Sequence, residues 1–210
     1  MTRASLLGLL GAALLACSSS SSDTPTTAPA DPAPADGEAG PEDPQAEVTL
    51  AYFAGGCFWG VEHYMEQLDG VLGVESGYMG GHVEEPSYQQ VASQTSGHLE
   101  TVRVRFDARR IGYEAVAKRF FEIHDPTQAD GQGPDRGPEY LSAVFYTDAE
   151  QKRIAEGLIE RLRARGYDVV TELRQADRFW PAEEYHQDYY VRKGTEPYCH
   201  GWVDRFGTGK

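Results

Sequence analysis

The chain has 210 residues, 40% hydrophobic and 25% charged, which accommodates one sizeable globular core with non-globular extensions. Its formal charge of −14, with no basic stripe, excludes a phosphate-backbone partner, because nucleic-acid binding is driven by Lys and Arg displacing counterions. The 23 Gly and 12 Pro point to a linker and long structured loops.

Arg3 precedes an unbroken apolar run from Leu6 to Ala16, too short to span a bilayer and fitting the hydrophobic region of an export signal, residues 1–16. The run ends in Leu14-Leu15-Ala16-Cys17. This resembles the bacterial lipobox, in which the Cys is lipidated and becomes the mature N-terminus. Ser18 in the next position resembles outer-membrane sorting in a source with two membranes, so a lipid-anchored, periplasm-facing protein is expected. An ordinary cleaved signal is the alternative, and export follows from either. Residues 17–46 then hold Cys17 and a stretch of Ser, Thr, Pro, Ala and acidic residues without aromatic or basic side chains. Such a segment cannot bury a core and reads as a self-repelling tether, reaching roughly 90 Å at about 3.1 Å per residue if polyproline-like.

Globular patterning runs from residue 47 to 210. Val48 to Phe53 is nearly all apolar and β-rich, the signature of a buried central strand, and Gly55-Gly56 breaks it. Phe58, Val61, Tyr64, Met65 and Leu68 recur at helical spacing up to Gly70, so a helix begins at or beside Cys57. Val71 to Tyr78 predicts a strand. Val102, Val104 and Phe106 alternate with Thr101, Arg103 and Arg105, predicting a strand with one wet face, and Glu100 falls on its apolar side. Tyr113, Val116, Ala117, Phe120 and Phe121 mark a second helix, and Ala143 to Tyr146 a short buried strand. Asp148 with Gln151 signals the cap of a third helix carrying Ile154, Leu158, Ile159 and Leu162 and ended by Gly166. Val169 to Leu173 closes the regular part. Alternating strands and amphipathic helices imply a two-layer α/β domain.

His82 to His98 and His124 to Tyr140 are long, aperiodic and rich in Gly, Pro, Asp and Tyr; such loops in compact domains are usually functional. The tail from Arg178 carries Trp180, Tyr185, Tyr189, Tyr190, Tyr198 and Trp202 without a helical stripe, and is expected to wrap irregularly over the domain.

With Cys17 assigned to lipid, Cys57 and Cys199 remain, and two thiols in an exported chain form either a structural disulfide or a redox pair. A thiol at a helix start feels the positive end of the dipole and free N–H groups, which lower its pKa and expose a thiolate; a small core residue is the alternative for Cys57. Glu100, on the apolar side of its strand, is expected to have a raised pKa through desolvation, the alternative being a strand-end surface charge.

Gly56-Cys57-Phe58-Trp59-Gly60 resembles the signature of the methionine sulfoxide reductase A family. Further segments match in the same order: Gly77-Tyr78-Met79-Gly80-Gly81, Pro86-Ser87-Tyr88, Gly97-His98-Leu99-Glu100, His124-Asp125-Pro126-Thr127-Gln128, Asp135-Arg136-Gly137, Tyr140 and His186-Gln187. The likeness spans about Ala51 to His200. It implies an α/β (α+β) two-layer sandwich, a ferredoxin-like mixed sheet with helices packed on it, long loops and an irregular C-terminal tail.

The resemblance further implies that Cys57 attacks the sulfur of Met-S-sulfoxide, free or in protein, leaving a Cys57 sulfenic acid. Glu100 would protonate the sulfoxide oxygen, with Tyr88 and Tyr140 hydrogen-bonding it. Phe58 and Trp59 would wall off the methionine methyl group, and Asp135 and Tyr189 would complete the substrate pocket. Cys199 resembles the recycling cysteine, which forms a disulfide with Cys57 that a thioredoxin-like dithiol reduces. No cofactor or metal is implied, and a monomer is expected. The family often adds a second downstream Cys, which this chain lacks; Leu141 stands where many members have Arg, and Leu99 replaces a commoner small residue. Competing readings are a thiol peroxidase using the same cysteines, a Cys-His hydrolase pairing Cys57 with His98 or His186, and a metal-binding surface lipoprotein with His186, Cys199 and His200 as ligands.

Overall fold

The computed structural model describes residues 45–207. The apolar leader, Cys17 and the linker to residue 44 fall outside the described residues, and so do 208–210. In chain order the elements are β1 (Val48–Gly55), α1 (Phe58–Met65), β2 (Val71–Met79), α2 (Tyr88–Ala92), β3 (Leu99–Asp107), α3 (Tyr113–Ile123), β4 (Gly131–Gln132), β5 (Asp135–Arg136), β6 (Ser142–Tyr146), α4 (Ala149–Ala164), β7 (Glu172–Gln175), β8 (Trp180–Pro181) and α5 (Tyr189–Lys193).

Four strands form an antiparallel unit in the order β6-β1-β3-β2, with α1 between β1 and β2 and α3 on the path from β3 to β6. This is the ferredoxin-like arrangement. β7 adds parallel to β6 and β8 antiparallel to β2, giving a six-stranded mixed sheet with β1 and β3 at its centre. A separate two-stranded hairpin, β4-β5, lies in the long loop before β6.

Period-two alternation divides the core. Ala51, Phe53, Tyr78, Val102, Val104, Phe106 and Val144 pack against α1, α3 and α4, while Tyr52, Ala54, Met79, Leu99, Ala143 and Phe145 form a second cluster on the opposite face, closed by Phe179. The wet face expected for β3 is therefore reduced to the half-buried Arg105: Thr101 and Arg103 are 0% and 3% exposed. The chain after β7 crosses this face and sets Phe179 against Tyr52, ring centroids 5.7 Å apart. The Arg103 guanidinium lies 4.8 Å above the Phe179 ring, and its Nε donates to Glu75 Oε2 at 3.0 Å.

The expected cap of α4 is present. Asp148 Oδ1 accepts the N–H groups of Glu150 and Gln151 at 2.9 and 2.8 Å, and Gln151 reaches back to accept the Thr147 N–H at 3.1 Å. Its amide also donates to Leu50 O at 2.8 Å, fastening α4 to β1. Two ends are displaced from expectation. α1 stops at Met65, where Leu68 N–H closes a turn on Met65 O, and β7 begins at Glu172 because Val170 N–H is drawn to Pro126 O.

The segments expected to be irregular contain short elements. Ser87 and Gln90 make a capping box that starts α2 inside the 82–98 loop, and the tail contributes β8 and α5. At two to five residues, none completes enough turns or alternations to leave a periodic pattern.

Glu62 on α1 is 1% exposed, and burial, aided by the nearby Glu66 charge, pushes its carboxyl up to about 8. Between the ordinary carboxylate value and about 8 the folded chain keeps a proton that the unfolded chain releases, so stability from this group falls as pH rises through that window. Glu62→Gln is expected to raise the Tm at alkaline pH by roughly 5 °C or more and to flatten its decline above pH ~5. Thermal denaturation across pH checks this; an unchanged or lower Tm at alkaline pH would count against it.

Candidate active site

The chain leaves β1 through Gly56, whose φ of +93° suits glycine, and turns into α1 at Cys57, the N-cap residue. Both glycines flanking Cys57-Phe58-Trp59 admit close neighbours. A Cβ at Gly56 would lie 2.3 Å from Gln132 Cβ, and one at Gly60 would lie 2.2 Å from His200 Nδ1. The long loop after α3 and the C-terminal tail thus press onto the start of α1 from two sides.

Glu100 stands on the helix-facing side of β3, paired across the ladder with Tyr78, and is 3% exposed. Its Oε2 accepts the Phe58 N–H at 3.0 Å, so one free donor of the α1 start is spent on this carboxylate. Burial raises its pKa well above the ordinary carboxylate range, reinforced by the Cys57, Glu139 and Asp135 charges, against the opposing Phe58 N–H. The surface-charge alternative is thereby ruled out. Tyr88 and Tyr140 reach the same pocket from the two long loops. Their hydroxyls are pushed up by burial and then by Glu100, so both remain hydrogen-bond donors at neutral pH.

An aromatic wall closes the other side. Trp59 stacks on Tyr189 with centroids 3.7 Å apart and planes 5° from parallel, and its indole N–H donates to His186 Nδ1 at 3.1 Å. Phe58 is fully buried, 5.9 Å from the Tyr78 ring and 5.0 Å from the His186 ring, and belongs to the main core. Leu99 and Leu141 lie elsewhere, in the apolar cluster on the opposite face of the sheet.

The expectation of a lowered Cys57 pKa is corrected. The N–H of Trp59 does favour the thiolate, but a hydrogen bond with the Cys199 thiol, burial and the Cys199 charge outweigh it and push the Cys57 thiol up. The resting group is a buried thiol. Cys57 and Cys199 are both free, and the tail brings the Cys199 side chain beside that of Cys57.

Contacts on both sides of Cys199 hold it there. Tyr198 donates its hydroxyl to both Asp135 carboxylate oxygens at 2.9 Å. Gly201 N–H bonds to Ile123 O and Val203 N–H to Glu122 O. His200, 8% exposed, places Nε2 2.7 Å from Gly55 O and Nδ1 3.0 Å from Cys199 Sγ.

Three residues at the site were not singled out as its members from sequence. Glu183 accepts the Tyr78 hydroxyl at 2.9 Å and the Tyr88 N–H at 3.0 Å, anchoring the loop that carries Tyr88. His186 is the hub of the rings of Phe58, Trp59, Tyr88 and Tyr185; in the sequence it stood out in the His186-Gln187 pair and as a candidate partner of Cys57 or of a metal, not as a ring at the centre of the substrate wall. His200 stood out only beside Cys199, as a candidate metal ligand. Among the described residues no group of three or more His, Cys, Asp or Glu is arranged to hold a metal ion.

Comparison with known proteins gives the site its context. The family model for peptide methionine sulfoxide reductase matches residues 49–206. The chain is 46% identical over 155 residues to a peptide methionine sulfoxide reductase MsrA of Natronomonas pharaonis, covering 72% of this chain and 87% of that protein. Among solved structures, Mxr1 from Saccharomyces cerevisiae in reduced form superposes with a TM-score of 0.70 at 31% identity, covering 77% of this chain and 95% of that one. Mxr1 in complex with Trx2 shares the fold at a TM-score of 0.52 and 22% identity, covering 77% and 94%. The chain belongs to the peptide methionine sulfoxide reductase family, A type, and is a peptide-methionine (S)-S-oxide reductase.

Proposed function

We propose that Cys57 is the nucleophile of this reductase, that Glu100, Tyr88 and Tyr140 handle the sulfoxide oxygen, and that Cys199 resolves the intermediate. The observation that carries this reading is the contact of the Cys57 thiol with Cys199 in the pocket where Glu100 is buried. Cys57 sulfur attacks the sulfoxide sulfur while Glu100 gives its proton to the oxygen and the tyrosine hydroxyls steady the developing charge. Oxygen passes to Cys57, methionine departs, and the Cys57 thiol proton restores Glu100. The balance is thiol plus sulfoxide to sulfenic acid plus thioether, which suits a resting state in which both groups are protonated. Trp59 and Tyr189 offer an apolar wall for the methyl group, with Phe58 supporting it from the core, and Asp135 orients the bound residue.

Cys199 then attacks the sulfenic acid, and an external dithiol of the thioredoxin class reduces the disulfide. The Trx2 complex of Mxr1 supports that class of partner. The leader and Cys17 support export and a lipid anchor on the periplasmic side of an outer membrane, with the acidic linker as tether.

Cys57→Ser is expected to abolish methionine formation from Met-S-sulfoxide, whereas Cys199→Ser retains one turnover per enzyme and loses dithiol-driven cycling. Rapid quench with methionine quantification checks both, and turnover by the first variant would remove Cys57 from its role. Glu100→Gln is expected to slow methionine formation about 100-fold or more with an unchanged fold. Because the acid form of Glu100 is lost as pH rises through its elevated pKa, the wild-type rate falls on the alkaline side and the variant lacks that limb. Single-turnover rates against pH test this. Mass spectrometry of the protein purified from its native membrane is expected to find a diacylated or triacylated Cys17 as first residue; an unmodified N-terminus downstream of it would overturn the anchor.

A further inference from the structure

The hydrogen bonds around His200 determine its tautomer. Gly55 O can only accept, so His200 Nε2, 2.7 Å away, carries the ring proton. The imidazole is buried, and burial holds its pKa down at about 4, so at neutral pH it has only that one proton. The Nδ1 lone pair is therefore bare and directed at Cys199 Sγ, 3.0 Å away, and the Cys199 S–H donates to it. The ring is held by more than these bonds. It fills the space left by Gly60, where any Cβ would collide with Nδ1, and the tail on its far side is tied to α3 through Gly201 and Val203. Cys57, Cys199 and His200 thus form a chain in which one thiol meets the next and the second meets an imidazole nitrogen.

We propose that His200 Nδ1 is the general base and proton shuttle of the recycling half-reaction, taking the Cys199 thiol proton as Cys199 attacks the Cys57 sulfenic acid. This rests on the assignment of Cys57 and Cys199 above. The Cys199 sulfur supplies the electron pair of the new S–S bond, and the S–O bond of the sulfenic acid breaks with its pair going to the departing hydroxide. The proton moves from Cys199 to Nδ1 and from Nδ1 to that hydroxide, which leaves as water, and His200 returns to its neutral form. No external oxidant or reductant enters the step. Burial makes the His200 imidazolium a stronger acid than an ordinary one, so the proton is not trapped on the ring. The gain is that Cys199 need not be a thiolate at rest in a pocket already crowded with acidic groups.

The titratable groups around the pair are Cys57 from the turn before α1, Tyr64 on α1, Asp135 from β5, Tyr190 on α5, Tyr198 in the tail and His124 at the end of α3. His124 is held neutral by burial, down to about 3, and Tyr198 is pushed up by burial and its bond to Asp135. Neither changes charge near neutral pH, so neither imposes a pH dependence on the disulfide step there.

The test uses the full-length protein in single turnover without reductant, following methionine release and Cys57–Cys199 disulfide formation separately. His200→Gln keeps an amide donor for Gly55 O but has no basic nitrogen. The variant is expected to release one equivalent of methionine and then form the disulfide about 100-fold more slowly at neutral pH. Its disulfide rate should rise with pH between about pH 6 and about pH 8, as hydroxide takes over the role of the base, where the wild type, whose imidazole is free of a second proton above about 4, is nearly flat. Disulfide formation at the wild-type rate and with the wild-type pH profile would overturn the proposal. Loss of the methionine burst would instead strike at the Cys57 reading. A measurement on the unaltered protein guards against misfolding: ¹⁵N NMR of its histidines should show an unprotonated His200 Nδ1 whose shift moves on Cys199→Ala. A protonated Nδ1 at neutral pH would overturn the proposal as well.

Discussion

The site depends on the hydrogen bond from His200 Nε2 to Gly55 O. Gly55 is the last residue of β1 and His200 follows Cys199, so this one contact ties the far end of the chain to the turn that holds Cys57. It is short, buried and made to a carbonyl at the strand end. The two glycines of the Cys57 turn take on a clear purpose beside it, since Gly60 leaves room for the imidazole and Gly56 for Gln132. A tail without helical or strand periodicity is thereby positioned to side-chain precision.

A second constraint is the accumulation of acidic and weakly acidic groups around a buried carboxyl and a buried thiol. Burial raises the affinity of Glu100, Cys57, Tyr88 and Tyr140 for protons; Cys57 adds to it at Glu100, Glu100 and Cys57 add to it at both tyrosines, and Cys199 and Asp135 add to it at Cys57. The consequence is a resting site stocked with protons. That suits a reaction in which oxygen must be protonated as it leaves sulfur, and it explains why a helix start alone does not make Cys57 a thiolate. The dipole acts over the first turn, but its leading N–H is already engaged by Glu100.

Much of the fold was legible in the chain. The apolar run Val48–Phe53 reads as a buried strand and occupies a central position in the sheet, and Asp148 and Gln151 announce a helix whose cap they form. The two long loops were recognisable as functional from composition alone, and each delivers a tyrosine to the pocket. The second face of β3 was not legible, because the covering residue, Phe179, lies more than seventy positions from Arg103. The polar look of Thr101 and Arg103 describes side chains that found partners inside, not side chains facing water.

By itself the sequence determined the local vocabulary: which segments are strands and helices, where they are capped, and that Cys57 opens a helix while Glu100 lies on the apolar side of a strand. These follow from periodicities and capping chemistry that act over a few residues. Only the tertiary structure decided the protonation state of Cys57, the partners of His186 and Glu183, and the tautomer of His200. Each of those depends on burial and on groups brought from distant parts of the chain, and electrostatics and hydrogen bonding respond to distance in space rather than separation in sequence.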